Sequence, residues 1–577
     1  MRTTIACALT IPILAACRPQ ETTATPTDAP TTTSAAPSAA PVVKDRTISI
    51  VGTNDLHGRV AALPLLGGYL DNLRRARERD GGGVVLVDGG DMFQGTLESN
   101  LLEGRPVRDA YAALGYAAAT VGNHEFDYGP LGAEATPKRP GDDPRGALKA
   151  LAKDSPFPFL MANVRDRATG ARAEYPNMPG STIVTVDGIR IGLVGVTTED
   201  TLRTTISSNV KDLEMAPVAE TIRTEAAALR KAGARAVIVL AHAGGKCQDF
   251  TNDISKDRCE LGAEIFDVAN ALPPGTVDAI VAGHTHAGVA HTVHDIPIIE
   301  AYSYGRAFGR IDFTFRGDPP AIVAHHIHAP RELCPGVDKP DFSKCSPGEY
   351  EGAPVERSKK VEAAIAGGVE AARERRASKL GPVLAAPIPR SYLAESALGN
   401  LFADLTLRGT AGADIAMANG GGLREDLPAG ELTYGALFES FPFDNRVATA
   451  KVKVADFKRL VASHLKQAGN GVLSFAGVRI HARCKDKKLD VQLERTTKGK
   501  PFRDDDTIVI AASDFMMLGG DTFWGDLTPP EFNVLDDLLR DVFERELKKE
   551  KTLRAEDLFD PKKRRLDLEK SRPIKCD

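Results

Sequence analysis

Thr47-Ile-Ser-Ile-Val-Gly-Thr-Asn-Asp55-Leu-His57-Gly58 joins a β-branched run to a short polar loop that ends on glycine. The run Thr47–Val51 reads as a strand, and Asp55 and His57 alternate along the segment that leaves it. The same join recurs downstream. Gly89-Gly-Asp91 follows Val84–Val87, Ala241-His242 follows Ala236–Leu240, and Gly283-His284-Thr-His286 follows Val277–Val281. Gly122-Asn123-His124-Glu-Phe-Asp127 is a fifth motif of this kind. Another strand-like run covers Ile189–Val196, and helical patterns at Leu70–Glu78 and Val218–Lys231 lie between the runs. Strands alternating with helices predict an α/β layered domain with its functional groups in the loops at strand ends.

The residue types in those loops point to one chemistry. Asp, Asn and His are the oxygen and imidazole ligands that hold two divalent ions side by side, and a carboxylate can bridge cations about 3.5–4 Å apart. Asp91 is the candidate bridge; Asn123 offers a neutral carbonyl oxygen, and His242, His284 and His286 offer ring nitrogens. Asp55 and His57 converge on one ion if the strand end twists into its loop, and Gly58 permits the tight exit. His124 directly follows a ligand candidate, and Asp127, three residues on, is placed to orient the ring as a catalytic partner. Any one of these residues alone is ordinary loop chemistry. Together they predict metal-assisted hydrolysis of a phosphate ester.

In this order the motifs resemble the calcineurin-like metallophosphatases, and in particular the 5′-nucleotidase / 2′,3′-cyclic phosphodiesterase / UDP-sugar hydrolase family. Asn419-Gly-Gly-Gly-Leu-Arg424, Phe441-Pro-Phe443 and Phe515-Met-Met-Leu-Gly-Gly-Asp521 extend the resemblance to that family's substrate domain. It implies an N-terminal four-layer β-sandwich flanked by helices and a second α/β substrate-binding domain joined to it by a helix. It further implies two divalent cations (Mn, Zn, Co or Mg). Asp55, His57 and His286 would complete one shell, and Asn123, His242 and His284 the other, with His124 and Asp127 as the catalytic dyad. Attack of metal-bound water in line with the leaving oxygen is the implied mechanism, with no phosphoenzyme. In the second domain Asn419 and Arg424 are substrate-binding candidates that flank a glycine triplet whose open backbone could approach a phosphate, which Arg424 can bind bidentately; Phe443 and Phe515 would sandwich a base, and Asp521 would hold the ribose. There is one departure from the family pattern. Ala394-Glu395-Ser396-Ala397-Leu398-Gly399-Asn400 lacks an Arg and an Asn usual there, which leaves open whether Arg390 or Arg408 compensates.

The N-terminus reads as a targeting segment. Met1-Arg2 is basic, Thr3 to Leu14 is mostly apolar and too short to span a bilayer, and Leu14-Ala-Ala-Cys17 resembles a lipobox. Residues 1–17 are thus expected to be a lipoprotein signal with Cys17 as the lipidation site, or else a plain secretory signal. Residues 18–46, rich in Thr, Pro and Ala, form an expected disordered tether. The protein is expected to be exported and lipid-anchored to a bacterial membrane, periplasmic or cell-surface. Six cysteines remain beyond Cys7 and Cys17, an even number that suggests disulfides in an oxidising space. Close spacing favours Cys247–Cys259 and Cys334–Cys345, leaving Cys484 for Cys576, among about 15 connectivities that six cysteines allow.

A chain of 577 residues exceeds what one core fills. The expected divisions are 47–353 for the metallophosphatase domain, 354–379 for a connecting helix and 380–577 for the substrate domain. In the last, Asp414–Met417 and Thr507–Ala512 read as strands, Ala394–Leu407 and Ala455–Lys466 as helices, and the charge-dense 547–577 tail shows no clear apolar face. Pro130–Gly146 reads as a surface insertion, and His325-His326-Ile-His328 as strand alternation. A net charge of −5 gives no electrostatic case for a nucleic-acid polymer; the resemblance implies a nucleotide substrate as the partner, and no protein partner is predicted. The function expected is an exported nucleotidase acting on nucleoside 5′-monophosphates. Alternatives are a cyclic-nucleotide phosphodiesterase, a UDP-sugar hydrolase or a thiosulfohydrolase-like enzyme, and, of another class, a non-catalytic surface binding lipoprotein.

Overall fold

The computed structural model describes residues 45–576 except Ala133, Asn252, Asp253, Lys256, Asp257, Asp338, Lys339 and Asn470. The signal segment, most of the tether and Cys17 lie outside the described residues.

Two six-stranded sheets form the first domain. One runs Ala321–Glu332, Ala307–Arg316, Arg46–Thr53, Gly83–Asp88, Ala118–Thr120, Phe159–Leu160; the other runs Gly288–Val293, Ile296–Ala301, Ala279–Ala282, Ala236–His242, Ile189–Thr197, Ser181–Val186. Their facing sides share one core, in which Ile48, Ile50, Val85 and Val87 meet Ile191, Leu193, Ile238, Leu240 and Val281. The outer faces are covered by helices: Leu63–Asp80 and Arg105–Leu114 pack on the first sheet, and Val218–Lys231 and Glu264–Ala271 on the second. This makes four layers, helix, sheet, sheet, helix. Strands covered on both faces become near-continuous apolar runs, as in Ala-Val-Ile-Val-Leu-Ala at 236–241. The central strands pair in parallel, so their C-terminal ends lie at one edge of the sandwich.

The second domain is built on a five-stranded sheet ordered Leu473–Ala476, Ile415–Asn419, Thr507–Ser513, Arg446–Lys453, Phe532–Leu538. Helices Ala397–Gly409 and Val454–Lys466 pack on it. Between the domains runs helix Lys359–Ala377. Gly368 lets it approach closely, because a Cβ there would sit 2.5 Å from Pro106 Cγ and 2.9 Å from the Glu98 carbonyl oxygen. Near its end Arg376 ties the domains together, pairing with Glu98 at 2.8 Å and with Glu439.

Three disulfides form: Cys247–Cys259 and Cys334–Cys345, the pairs that close spacing favours, and Cys484–Cys576, the pair left over. The C-terminal tail differs from expectation, being tied in rather than merely charged. Leu566–Leu568 adds a parallel strand beside Val478–Lys485, and Ile574 is buried. Three residues are too few for an apolar period to show in the sequence. The 130–146 segment is only partly exposed, with Ala135, Thr136 and Arg145 buried, and Glu134 reaches Arg446 of the second domain at 2.6 Å. The histidine run lies on the edge strand Ala321–Glu332, where His328 meets Asp312 at 3.0 Å. Among the described residues no helix is long and apolar enough to cross a membrane.

Candidate metal centre and substrate pocket

Five strands of the first domain deliver the ligand candidates from their C-terminal ends. Arg46–Thr53 leads to Asp55 and His57, Gly83–Asp88 to Asp91, Ala118–Thr120 to Asn123, Ala236–His242 ends on His242, and Ala279–Ala282 leads to His284 and His286. Two groups result, Asp55 with His57 and His286, and Asp91 with His242 and His284, the ligand atoms of each within 4.8 Å of one another. Asp91 Oδ2 lies between them, 3.8 Å from His57 Nε2 and 3.2 Å from His242 Nε2. Asn123 Oδ1 faces His242 Nε2 at 2.9 Å, because its amide nitrogen is spent on the Thr204 carbonyl at 3.0 Å.

The donor set tests whether cations belong here. His57 Nδ1 donates to the Gln94 carbonyl and His242 Nδ1 to the Gly89 carbonyl, each at 2.9 Å. Each contact leaves Nε2 as the nitrogen that faces the cluster. There His57 Nε2 lies 3.0 Å from His286 Nε2, and Asp55 Oδ1 is buried without a hydrogen-bond partner. Lone pairs and carboxylate oxygens therefore converge with few protons between them, an arrangement that divalent ions satisfy. Burial outweighs the nearby carboxylates at His57 and pushes its pKa down to about 3. At His242 burial opposes charge but the Asp91 carboxylate wins and raises the pKa to about 10, so positive charge is favoured at Nε2, where a cation would take the place of the proton. The residues present fit two metal ions.

Five of these residues, Asp55, His57, Asp91, His284 and His286, have φ between 48° and 83°. Left-handed backbone at non-glycine residues costs about 1–3 kcal/mol each and persists only where the surroundings fix it. Backbone bonds do so here: Asp55 N–H donates to Gly90 O at 2.9 Å and His57 N–H to Asp91 O at 3.0 Å, locking the first two loops together.

His124 stands beside the cluster, its ring centroid 5.3 Å from that of His57. Nδ1 meets Asp127 Oδ2 at 2.6 Å. Burial disfavours its charged form, but the carboxylates of Asp127 and Asp91 prevail and raise its pKa to about 9.

The second domain closes over this edge. Asn419 ends strand Ile415–Asn419, and Phe515 and Asp521 follow strand Thr507–Ser513. One cavity of about 360 Å³ is lined by Asp91, Asn123, His124, Asp127, His284 and His286 from below and by Asn419, Arg424, Phe443, Phe515 and Asp521 from above. The Phe443 ring lies 6.0 Å from that of His124, and Gln94 donates to the Pro442 carbonyl at 3.0 Å across the domains. Arg424 stacks 4.8 Å over Phe443, and its Nε is buried without a hydrogen-bond partner. Asn419 donates to Asp521 Oδ2 at 2.7 Å. Neither arginine considered as compensation lines the cavity: Arg408 pairs with Glu550, and Arg390 donates to the Leu423 carbonyl at 3.3 Å.

Sequence reasoning missed Thr204, Thr205, Thr285, Tyr392 and Asn445 in the lining. Asn445 stands two residues beyond Phe443, and Thr285 sits between His284 and His286 inside a motif; Thr204 and Thr205 carry no motif. Glu125, inside the Gly122–Asp127 motif, is a further functional residue: its carboxylate accepts from the N–H groups of Asp91, Met92 and Gly122 at 2.7–2.8 Å.

Sandwich, strand-end ligands and dyad define a metal-dependent phosphoester hydrolase. Comparison makes the class specific. The calcineurin-like phosphoesterase family matches residues 48–288, and the 5′-nucleotidase C-terminal domain family matches residues 377–526. The chain therefore belongs to the 5′-nucleotidase family of two-domain metallophosphoesterases. Among relatives, a 5′-nucleotidase of Vibrio cholerae is 27% identical over 517 residues, covering 82% of this chain and 85% of that protein. Endonuclease YhcR of Bacillus subtilis is 26% identical over 492 residues, 81% of this chain, but the match spans only 37% of its own length. The crystal structure of a 5′-nucleotidase precursor from Thermus thermophilus shares the fold, with a TM-score of 0.65 at 22% identity over 90% of this chain and 99% of that one.

Proposed function

We propose that the protein is an exported two-metal phosphoesterase that hydrolyses nucleoside 5′-monophosphates and related nucleotides to nucleoside and phosphate. The observation that carries this reading is one cavity lined both by Asp91, His284 and His286 of the two metal-ligand groups and by Phe443, Phe515 and Asp521. Asp55, His57, Asp91 and His286 would hold one divalent cation and Asp91, Asn123, His242 and His284 a second, and such ions would supply Lewis-acid neutralisation of phosphoryl charge and lower the pKa of water.

The chain's own groups do the rest. His124, kept protonated by Asp127 and Asp91 against the cost of burial, stabilises charge developing on the phosphoryl oxygens and supplies a proton to the leaving oxygen. Arg424, with its unsatisfied Nε, binds phosphate, and Asn419 orients it. Phe443 and Phe515 stack the base, which tolerates several nucleobases, and Asp521 accepts from ribose hydroxyls. Export is supported by three disulfides, which persist in oxidising compartments. Anchoring through Cys17 completes the proposal.

A substrate panel tests it: nucleoside mono-, di- and triphosphates, cyclic nucleotides, UDP-glucose, thiosulfate esters and an aryl phosphate. Each is run on metal-stripped protein and on protein restored with Mn, Zn, Co or Mg. Preferential turnover of monophosphates, lost on stripping and regained with metal, is expected. Preference for a cyclic nucleotide or UDP-glucose would move the substrate assignment within the family, and nucleotide binding without turnover would make the chain a binding protein.

A further inference from the structure

The segment after strand Ile189–Thr197 carries no motif, yet it touches the site at several points. Thr204, Thr205 and Ile206 line the cavity. The Thr204 carbonyl holds the Asn123 amide at 3.0 Å. The Thr205 hydroxyl donates to Asp127 Oδ1 at 2.7 Å, joined by the Ile206 N–H at 3.4 Å. His124 takes the other oxygen, Oδ2, at 2.6 Å.

That division of the carboxylate has a mechanical consequence. A carboxylate held on one oxygen swings about its Cβ–Cγ bond; held on both, it turns only by breaking a bond. Thr205 is buried, with 4% of its surface exposed, so solvent does not readily replace its hydroxyl. The segment is itself fixed. Thr201 and Thr197 share a hydroxyl bond at 2.9 Å, and Asn209 donates to the Phe126 carbonyl at 2.8 Å, within the turn that carries His124. The hydroxyl thus has a rigid base from which to orient Asp127.

We propose that Thr205 is a positioning residue: through Asp127 it sets the direction in which His124 presents its second ring nitrogen to the phosphoryl group. The inference rests on the phosphoesterase reading above. It differs from a packing role because the effect must pass through Asp127.

The test uses Thr205→Val, which keeps the volume and removes the donor, with Thr205→Ala as a second donor-less variant and Thr205→Ser to restore the hydroxyl. With AMP and with an aryl phosphate, kcat is expected to fall about tenfold in the donor-less variants, the effect of one lost charge-assisted hydrogen bond. KM should stay within about twofold, and Thr205→Ser should recover most of the loss. In an Asp127→Ala background Thr205→Val should cost nothing further, since the group it acts through is gone. Wild-type kcat in both donor-less variants, or equal losses with and without Asp127, overturns the proposal. If the wild-type protein hydrolyses no phosphate ester, the functional reading fails instead. The position of Thr205 is then read from the His124 Nδ1 proton resonance, which should shift in Thr205→Val and return in Thr205→Ser; no shift overturns the inference.

Discussion

Replacing Phe515 with Ala separates the two jobs of the cavity. Phe515 lines the upper wall together with Phe443, while Asp91, Asn123, His284, His286 and His124 form the floor. The ring lies flat against Gly520, where a Cβ would approach it to 2.5 Å, so the glycine before Asp521 is what allows the ring its place. Removing one aromatic stack from a bound base costs about 1–3 kcal/mol. At about 1.4 kcal/mol per factor of ten, that raises the KM for a nucleoside monophosphate roughly 5- to 150-fold. Turnover of a small aryl phosphate, which need not reach the upper wall, should change by less than about twofold in kcat/KM. The assay is steady-state phosphate release from both substrates, with thermal unfolding as a control because Phe515 also packs against the second domain's core. Phe515→Trp, which keeps a π-face, should retain most nucleotide affinity. Equal losses on both substrates, or an unchanged nucleotide KM, would refute the base-stacking assignment and leave a general phosphoesterase.

The other expectations concern the floor and the anchor. Asp91→Ala should abolish activity by several orders of magnitude and lower the bound metal from about two ions per chain, measured by elemental analysis, because one carboxylate oxygen serves both groups; full activity after exhaustive chelation would contradict this. His124→Ala should reduce kcat by about 10²–10⁴ on nucleotide and aryl phosphate alike, since it acts at phosphorus. Cys17→Ser should release the native protein from the membrane fraction or block its processing, and a native protein that is already wholly soluble and cleaved elsewhere would reduce the N-terminus to a plain signal.

Much of the fold was legible because buried parallel strands leave a plain trace. Ala236–Leu240 and Val84–Val87 are continuous apolar runs, and Val218–Lys231 repeats its apolar face over 14 residues, long enough to give both ends of the helix. The ligand candidates were legible for a different reason: Asp, Asn and His at strand ends are rare in combination. What was not legible is contact across long sequence separation. Thr205 meets Asp127 from 78 residues away, and Glu134 meets Arg446 from 312 away. Neither pair leaves a local pattern, and short pieces such as Leu566–Leu568 take their conformation from the strand they join.

The same limit hides what holds the metal-ligand loops in shape. Left-handed φ at Asp55, His57, Asp91, His284 and His286 aims their side chains inward, at a cost the local sequence does not repay. Buried carboxylates behind the loops fix them. Asp88 accepts from Gly90 N–H at 2.8 Å, Glu125 from the Asp91 and Gly122 amides, and Glu300 from Gly245 N–H at 3.0 Å and the Thr285 hydroxyl at 2.6 Å. Burial raises Asp88 to about 7; burial and then the charge of Asp91 raise Glu125 to about 8; burial and then Asp55 raise Glu300 well above the carboxylate range. For such groups the folded pKa exceeds the unfolded one, so their contribution is most favourable at low pH and, for Asp88 and Glu125, declines as pH rises through about 4 to 8. Their value lies in geometry: each ties backbone amides that the strained loops leave unpaired, and the two ligand groups keep their separation because the backbone beneath them is held from behind.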